Sequence, residues 1–330
     1  MKPINEVNIH TWRLDVDDDH IPEEAFLPTV TKEDTGKVLM VSSDGIWEMK
    51  EFSGGAPSAY IEEIYDSNGN PIEVNIVGYT FVRNKAYENC TNLVQVSFPS
   101  GLTSIGDKAF DGCTNLALTS LPSGLTNIRI SAFNNCKNLA LTSLPSGLTS
   151  IGSSVFNGCL KLALTSLPSG LTSIKTSTFN SCPKLALTSL PSGITSIEDS
   201  AFYNCTNLAL TSLPSGLTSI GENAFKGCKN LALTSLPSGL TSIKASAFAD
   251  CTNLAITSLP SGLTSINYNT FRNCTSLTSI TFEGTPTSVS NTAFDGCTNL
   301  VTINVPWAEG EISRAPWGAT NATINYNYVP

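Results

Sequence analysis

From residue 87 to residue 300 the apolar positions of this chain recur with a fixed period. Ten cysteines, Cys90, Cys113, Cys136, Cys159, Cys182, Cys205, Cys228, Cys251, Cys274 and Cys297, stand 23 residues apart with no insertion. Three residues before each stands an aromatic, Tyr87 and then Phe110 through Phe294, and three after each stands a leucine, Leu93 through Leu300. A period this strict marks a stack of copies of one unit, because a single short unit cannot bury its own apolar side.

The copy CTNLALTSLPSGLTNIRISAFNN, residues 113–135, shows how one unit is built. Leu116, Leu118 and Leu121 fill a short extended stretch that Pro122 ends by withholding a ladder donor, which predicts a strand of about five residues. Ser123 and Gly124 turn the chain, and Leu125 and Ile128 return it inward. Ala132, Phe133 and Cys136 follow Ile128 at steps of four, five and eight, a spacing that predicts one face of a short helix against the strand. Stacked coils would pair their strands in parallel about 4.7–4.9 Å apart, so ten coils make a curved rod on the order of 50 Å long. The cysteines, one per unit at one phase, read as a ladder of buried free thiols, since cysteine packs as a small hydrophobe. Disulfides need Cα separations of about 4.4–6.8 Å with converging Cβ directions, which identical inward side chains in register do not readily offer.

The pattern C-x-x-L-x-x-(V/I/T)-x-(L/F)-P-x-x-L-x-x-I-x-x-x-A-F closely resembles the BspA-type leucine-rich repeat over residues 67–305. The resemblance implies an α/β fold, a right-handed leucine-rich-repeat solenoid or horseshoe of ten 23-residue coils with a parallel sheet. It also implies a use in binding host or matrix proteins and surfaces, without catalysis. End copies depart from the pattern: Tyr79 and Pro286 replace the post-proline leucine, Glu283 the proline, and Val82 and Val289 the isoleucine. Such irregularity belongs where stacking ends.

The strands leave two registers open. Six residues after the cysteine, the family's inward position holds Val96, Ile280 and Ile303 in outer copies but Thr119, Thr142, Thr165, Thr188, Thr211, Thr234 and Thr257 in the central seven. If the family register holds, Leu118, Leu141, Leu164, Leu187, Leu210, Leu233 and Ile256 line the concave face as an exposed apolar stripe, a candidate ligand contact. A one-residue slip would instead bury them and turn the threonines outward. The stretch LALTSLPSG is shared by six copies, whereas the segment before each cysteine varies. Such a repeated surface fits a periodic ligand such as a glycan, or records recent copying of the unit.

The formal charge of -9 is concentrated at one end. Residues 1–66 hold fifteen acids and five bases, leaving twelve acids and thirteen bases for the rest. The repeat body is near neutral, so neither nucleic acid nor an anionic membrane is an expected partner. No apolar run approaches the length of a membrane span, and the first residues lack the apolar core of an export signal. The expected location is a virion tail or, by another route, a bacterial surface.

The repeats offer no catalytic constellation. His10 and His20, the two histidines, lie upstream of them. The cysteines never approach CxxC spacing. Asp15, Asp17 and Asp19 resemble the start of a calcium loop, but His20 and Phe26 stand where its glycine and glutamate belong. Gly54 and Gly55 lack a following lysine and read as a linker. No catalytic residue, metal or cofactor is assigned.

Residues 36–52, GKVLMVSSDGIWEMKEF, alternate on both sides of Asp44-Gly45, a hairpin signal with the residues a type I′ turn prefers. The stretch from Pro28 to Phe52 resembles short modules near the N-termini of gut-phage tail-fibre proteins. The tail, with Trp307, Trp317 and an alternating ATINYNY strand, reads as a cap whose indoles cover the last coil, the other reading being a ligand-stacking site. The expected organisation is an acidic segment 1–35, a hairpin and linker 36–66, the solenoid 67–305 and a cap 306–330. The expected role is recognition of a host or cell-surface protein or glycan; the alternative is a spacer with no ligand on the sheet face.

Overall fold

The computed structural model describes residues 37–41, 47–51 and 59–329. The turn at Asp44-Gly45, the Asp15–Asp19 run, Gly54, Gly55 and both histidines lie outside them. Two antiparallel strands, β1 (Lys37–Val41) and β2 (Trp47–Glu51), form the hairpin read from the alternation, paired from Lys37↔Glu51 to Val41↔Trp47.

The remainder is a parallel β-solenoid of about 11 turns. At its N-terminal end β3 (Tyr60–Tyr65) pairs antiparallel with β4 (Pro71–Val77), and β4 pairs in parallel with β5 (Gln95–Ser97) of the next coil. This antiparallel strand covers the first sheet edge. A sharp turn at 66–70 joins β3 to β4, where Asp66 accepts from the backbone N–H groups of Asn68 and Asn70 and from the Asn92 amide.

Each central coil is held to the next on three sides. On one side the dipeptides Ser104–Ile105, Asn127–Ile128 and Ser150–Ile151 pair in parallel, as do Ser173–Ile174 through Ser242–Ile243. The isoleucine of each points inward and the preceding serine or asparagine does not. No ladder pairing joins Ile151 to Ile174 or Ile243 to Ile266, so this sheet runs in blocks.

The second side corrects the expected helix. Among the described residues there is none; the segment before each cysteine is a run of tight turns. Within a coil, Ala109, Asp111 and Cys113 donate to the carbonyls three residues back. The other N–H groups reach forward: Lys108, Phe110 and Gly112 donate to the Ile130, Ala132 and Asn134 carbonyls of the next coil at 2.8 Å. A helix would spend those donors on its own fourth-previous carbonyls. The alternation requires left-handed backbone at two positions per coil, for example Ser200 (φ 56) and Asn204 (φ 55). Glycine and asparagine tolerate that conformation best. The two residues are also matched between coils: a Cβ on Gly227 (φ 76) would collide with Asn204 Oδ1 of the preceding coil.

The third side corrects the expected five-residue strand. Regular pairing there exists only near the ends, at β5 and in the set Ser258–Leu259, Ser279–Phe282, Thr302–Asn304 and Thr323–Asn325. In the outer coils Val96, Ile280 and Ile303 are buried beside exposed or half-buried neighbours, the alternation a strand needs. In the central coils two exposed residues, Thr and Ser, follow the buried Leu, which breaks the alternation, and the chain bends at Thr142, Thr165, Thr188, Thr211 and Thr234. One backbone bond per interface remains, such as Ala186 N to Leu164 O at 3.1 Å.

The core between these sides is a set of ladders. Rings from Tyr87 to Phe294 stack coil upon coil with centroids 5.4–6.0 Å apart and planes within 12° of parallel. All ten cysteines are free thiols, buried except for the half-buried Cys90. Nine of them donate to the carbonyl of the aromatic in the preceding coil, as Cys205 Sγ does to Phe179 O at 2.9 Å. This contact explains the choice of cysteine: the side chain is short enough for the narrow core and still donates a proton.

The C-terminal segment adds a further coil. Trp317 stands 23 residues after Phe294 and its carbonyl accepts from the Phe294 N–H, while its indole packs against Phe282 at 6.1 Å. Trp307 packs edge-on against Phe282 at 5.1 Å and Trp317 at 6.2 Å. Both indoles are buried, which leaves neither face open for stacking a ligand.

Candidate binding surface of the solenoid

The candidate apolar stripe is not a surface. Leu118, Leu141, Leu164, Leu187, Leu210, Leu233 and Ile256 all lie in the core, Leu118 at 7% exposure and the rest at 0–1%. The open register resolves toward burial of these residues, with the physical reason given by the bend: the inward vector at the fifth position is filled by leucine, and Pro after the next half-buried Leu ends the segment. A pattern of apolar positions three, five and eight after each cysteine from Cys113 to Cys251 carried this information.

What the bend turns outward is a row of threonines. Thr119, Thr142, Thr165, Thr188, Thr211, Thr234 and Thr257 are exposed, one per coil, and their hydroxyls make no hydrogen bond among the described residues. A second threonine row is already committed: Thr126 Oγ1 donates to Thr103 O at 3.1 Å, and Thr218 Oγ1 to Thr195 O at 3.1 Å, repeated along the stack. The first row is therefore the one whose donors and acceptors are free for a partner. Exposed serines stand next to it, from Ser120 to Ser235.

This half of each central coil is also free of charge. From Leu116 to Ile266, no Asp, Glu, Lys or Arg occupies the thirteen positions between the third and fifteenth residue after a cysteine. Charges gather on the turn side instead. There Lys175 meets Glu198 at 2.9 Å, Lys244 meets Asp199 at 3.2 Å and Arg129 meets Asp107 at 3.4 Å. These pairs are partly exposed and contribute little to stability.

The thiols offer no nucleophile. Burial pushes them up, to about 12 for Cys113, Cys205 and Cys297, and neighbouring thiols push Cys136, Cys159, Cys228 and Cys274 further in the same direction. A thiol is reactive only as thiolate, so these remain protonated packing groups. Cys90, half-buried, is also raised, by burial and by the Glu63 carboxylate.

The chain matches a model of the BspA-type leucine-rich repeat region, of six copies, at residues 80–209 and 195–315. Among solved structures it is similar to a leucine-rich cell surface protein from Faecalibacterium prausnitzii, at 21% identity over 88% of this chain and 97% of that one, TM-score 0.44. It is similar to a leucine-rich repeat protein of T. pallidum, at 28% identity over 58% and 86%, TM-score 0.37. A third similarity is to the pneumococcal vaccine antigen PcpA, at 17% identity over 81% and 82%, TM-score 0.48. No curated protein matches. With the matched segments spanning well over half of its length and the cysteine, aromatic and leucine ladders in place, the chain belongs to the BspA-type leucine-rich repeat family.

Proposed function

We propose that this protein is a non-catalytic adhesion module that recognises a surface receptor, protein or glycan, through the outward face of its solenoid. The observation that carries the reading is the row of seven unengaged threonine hydroxyls, in register on a face without charge. A partner with a repeating polar surface can meet such a row at many equivalent points, and weak contacts repeated along a rigid rod add up. Display on a phage tail or a bacterial surface, through the segment before residue 59, belongs to the same proposal. The near-identity of the central coils favours a second reading, a spacer produced by copying one unit, in which the face contacts nothing.

A glycan and protein array probed with the full chain separates the two. The expected result is a ligand whose signal falls roughly tenfold or more in the double variant Thr165→Val/Thr188→Val, which removes the hydroxyls without adding charge, while the melting temperature stays put, because substitutions at exposed positions usually change stability by less than about 0.5 kcal/mol. A blank array, or a ligand held equally by the variant, would replace adhesion through this face by the spacer.

A further inference from the structure

The charges on the turn side do not mix evenly. In the first two positions after a cysteine, between residues 133 and 230, stand Lys137, Lys161, Lys184 and Lys229 and no acid, and Lys226 stands two residues before Cys228. Four of these lysines are exposed and Lys226 is half-buried. None makes an ion pair among the described residues, whereas Lys85, Lys108, Lys175 and Lys244 elsewhere each do. The acids of these same coils, Glu198, Asp199 and Glu222, sit on a different row, where Lys175, Lys244 and the Tyr268 hydroxyl engage them. The stack thus draws Lys137, Lys161, Lys184 and Lys229, 23 to 45 positions apart in sequence, onto one edge, a line of uncompensated positive charge that spans five coils and skips the one that begins at Cys205.

We infer that this lysine edge is the docking line for a linear anionic polysaccharide laid along the solenoid axis, its charges against the lysines and its hydroxyls against the free threonine row. The inference rests on the adhesion reading and names its partner. Charge complementarity selects a polyanion. The surroundings select among polyanions. Beside the lysines lie the Asn115 and Asn138 amides, hydrogen-bonded to each other at 3.4 Å, and a few residues further along each coil the threonine and serine hydroxyls, which are groups that meet sugar hydroxyls. A nucleic acid wants aromatic platforms for its bases. The aromatic at this corner is Tyr203, and Lys226 already lies over its ring at 5.8 Å. A membrane wants an apolar face to insert, and Leu160, at 45% exposure, is isolated.

The test uses the full chain with polygalacturonate as the anionic glycan, unmodified dextran as the neutral one, single-stranded DNA and phosphatidylserine vesicles. The expected result is binding to polygalacturonate and not to dextran, with affinity falling on the order of tens-fold between about 50 and 200 mM salt for about four contacts. The quadruple variant Lys137→Gln/Lys161→Gln/Lys184→Gln/Lys229→Gln should bind roughly tenfold more weakly or worse with an unchanged melting temperature, and Lys85→Gln/Lys108→Gln/Lys175→Gln/Lys244→Gln should bind as the parent does. No binding of the parent at low salt, equal loss in both variants, or tighter binding to DNA or vesicles would each overturn the inference. A receptor lost in the threonine variant but kept in the lysine-edge variant would overturn it too, while leaving the adhesion reading intact.

Discussion

Raising the pH above about 9 is expected to unfold the solenoid over a narrow interval, with melting temperature flat from pH 6 to 8 and falling steeply beyond. The cause is the thiol ladder. Nine thiols are buried, and burial holds each above its ordinary value, three of them at about 12. In the unfolded chain the same thiols ionise near 8.5. The folded value is the higher one, so the contribution to stability is complete below about 8.5 and is lost as pH climbs toward the folded values. Each thiol costs about 1.4 kcal/mol per pH unit in that window, so nine together cost on the order of 10 kcal/mol per unit, comparable with the whole stability of an ordinary domain. Circular dichroism melts between pH 7 and 10.5 read this directly; a melting temperature that ignores pH through 10 would mean the thiols are not buried together.

Replacing Leu187 by serine is expected to destabilise the protein by about 4–6 kcal/mol, whereas replacing its neighbour Thr188 by serine should change stability by less than about 0.5 kcal/mol. Leu187 is fully buried, so truncation opens a cavity and places a hydroxyl where no partner waits. Thr188 is exposed with its hydroxyl unengaged. Chemical denaturation of the two variants measures the difference. Equal effects, or the reverse order, would restore the register in which the leucines face outward.

Much of this architecture is legible in the sequence, for a reason visible in the residues. Cysteine, phenylalanine and leucine keep one phase over ten copies, and a solenoid is the arrangement in which residues of one phase stack. The helix misread has an equally specific cause. Steps of four, five and eight from Ile128 to Ala132, Phe133 and Cys136 satisfy a helical face, yet a chain of tight turns brings the same residues inward. The distinguishing signal was the recurrence of Gly, Asn, Ser or Asp just before each cysteine and, from Ser131 to Asn269, of Ser or Asn at the position four earlier, where left-handed backbone is needed. The leucine register followed from a departure from the family pattern, in which threonine took the inward slot and the strand gave way to a bend. The lysine edge was hidden by counting charge along the chain; sorting Lys137, Lys161, Lys184 and Lys229 by their place after the cysteine would have exposed it. Trp317 keeps the phase of the phenylalanines, 23 residues after Phe294, and that phase was the signal for a further coil within an otherwise irregular tail.

The measurement that bears most directly on the continuous stack is a thiol titration with a disulfide reagent, run on native and on denatured protein without reductant. One accessible thiol in the native chain, Cys90, and ten after denaturation are the expected counts. Several thiols reacting rapidly in the native chain, or fewer than ten appearing after denaturation because sulfurs are joined in pairs, would contradict a single spiral with its cysteines inside.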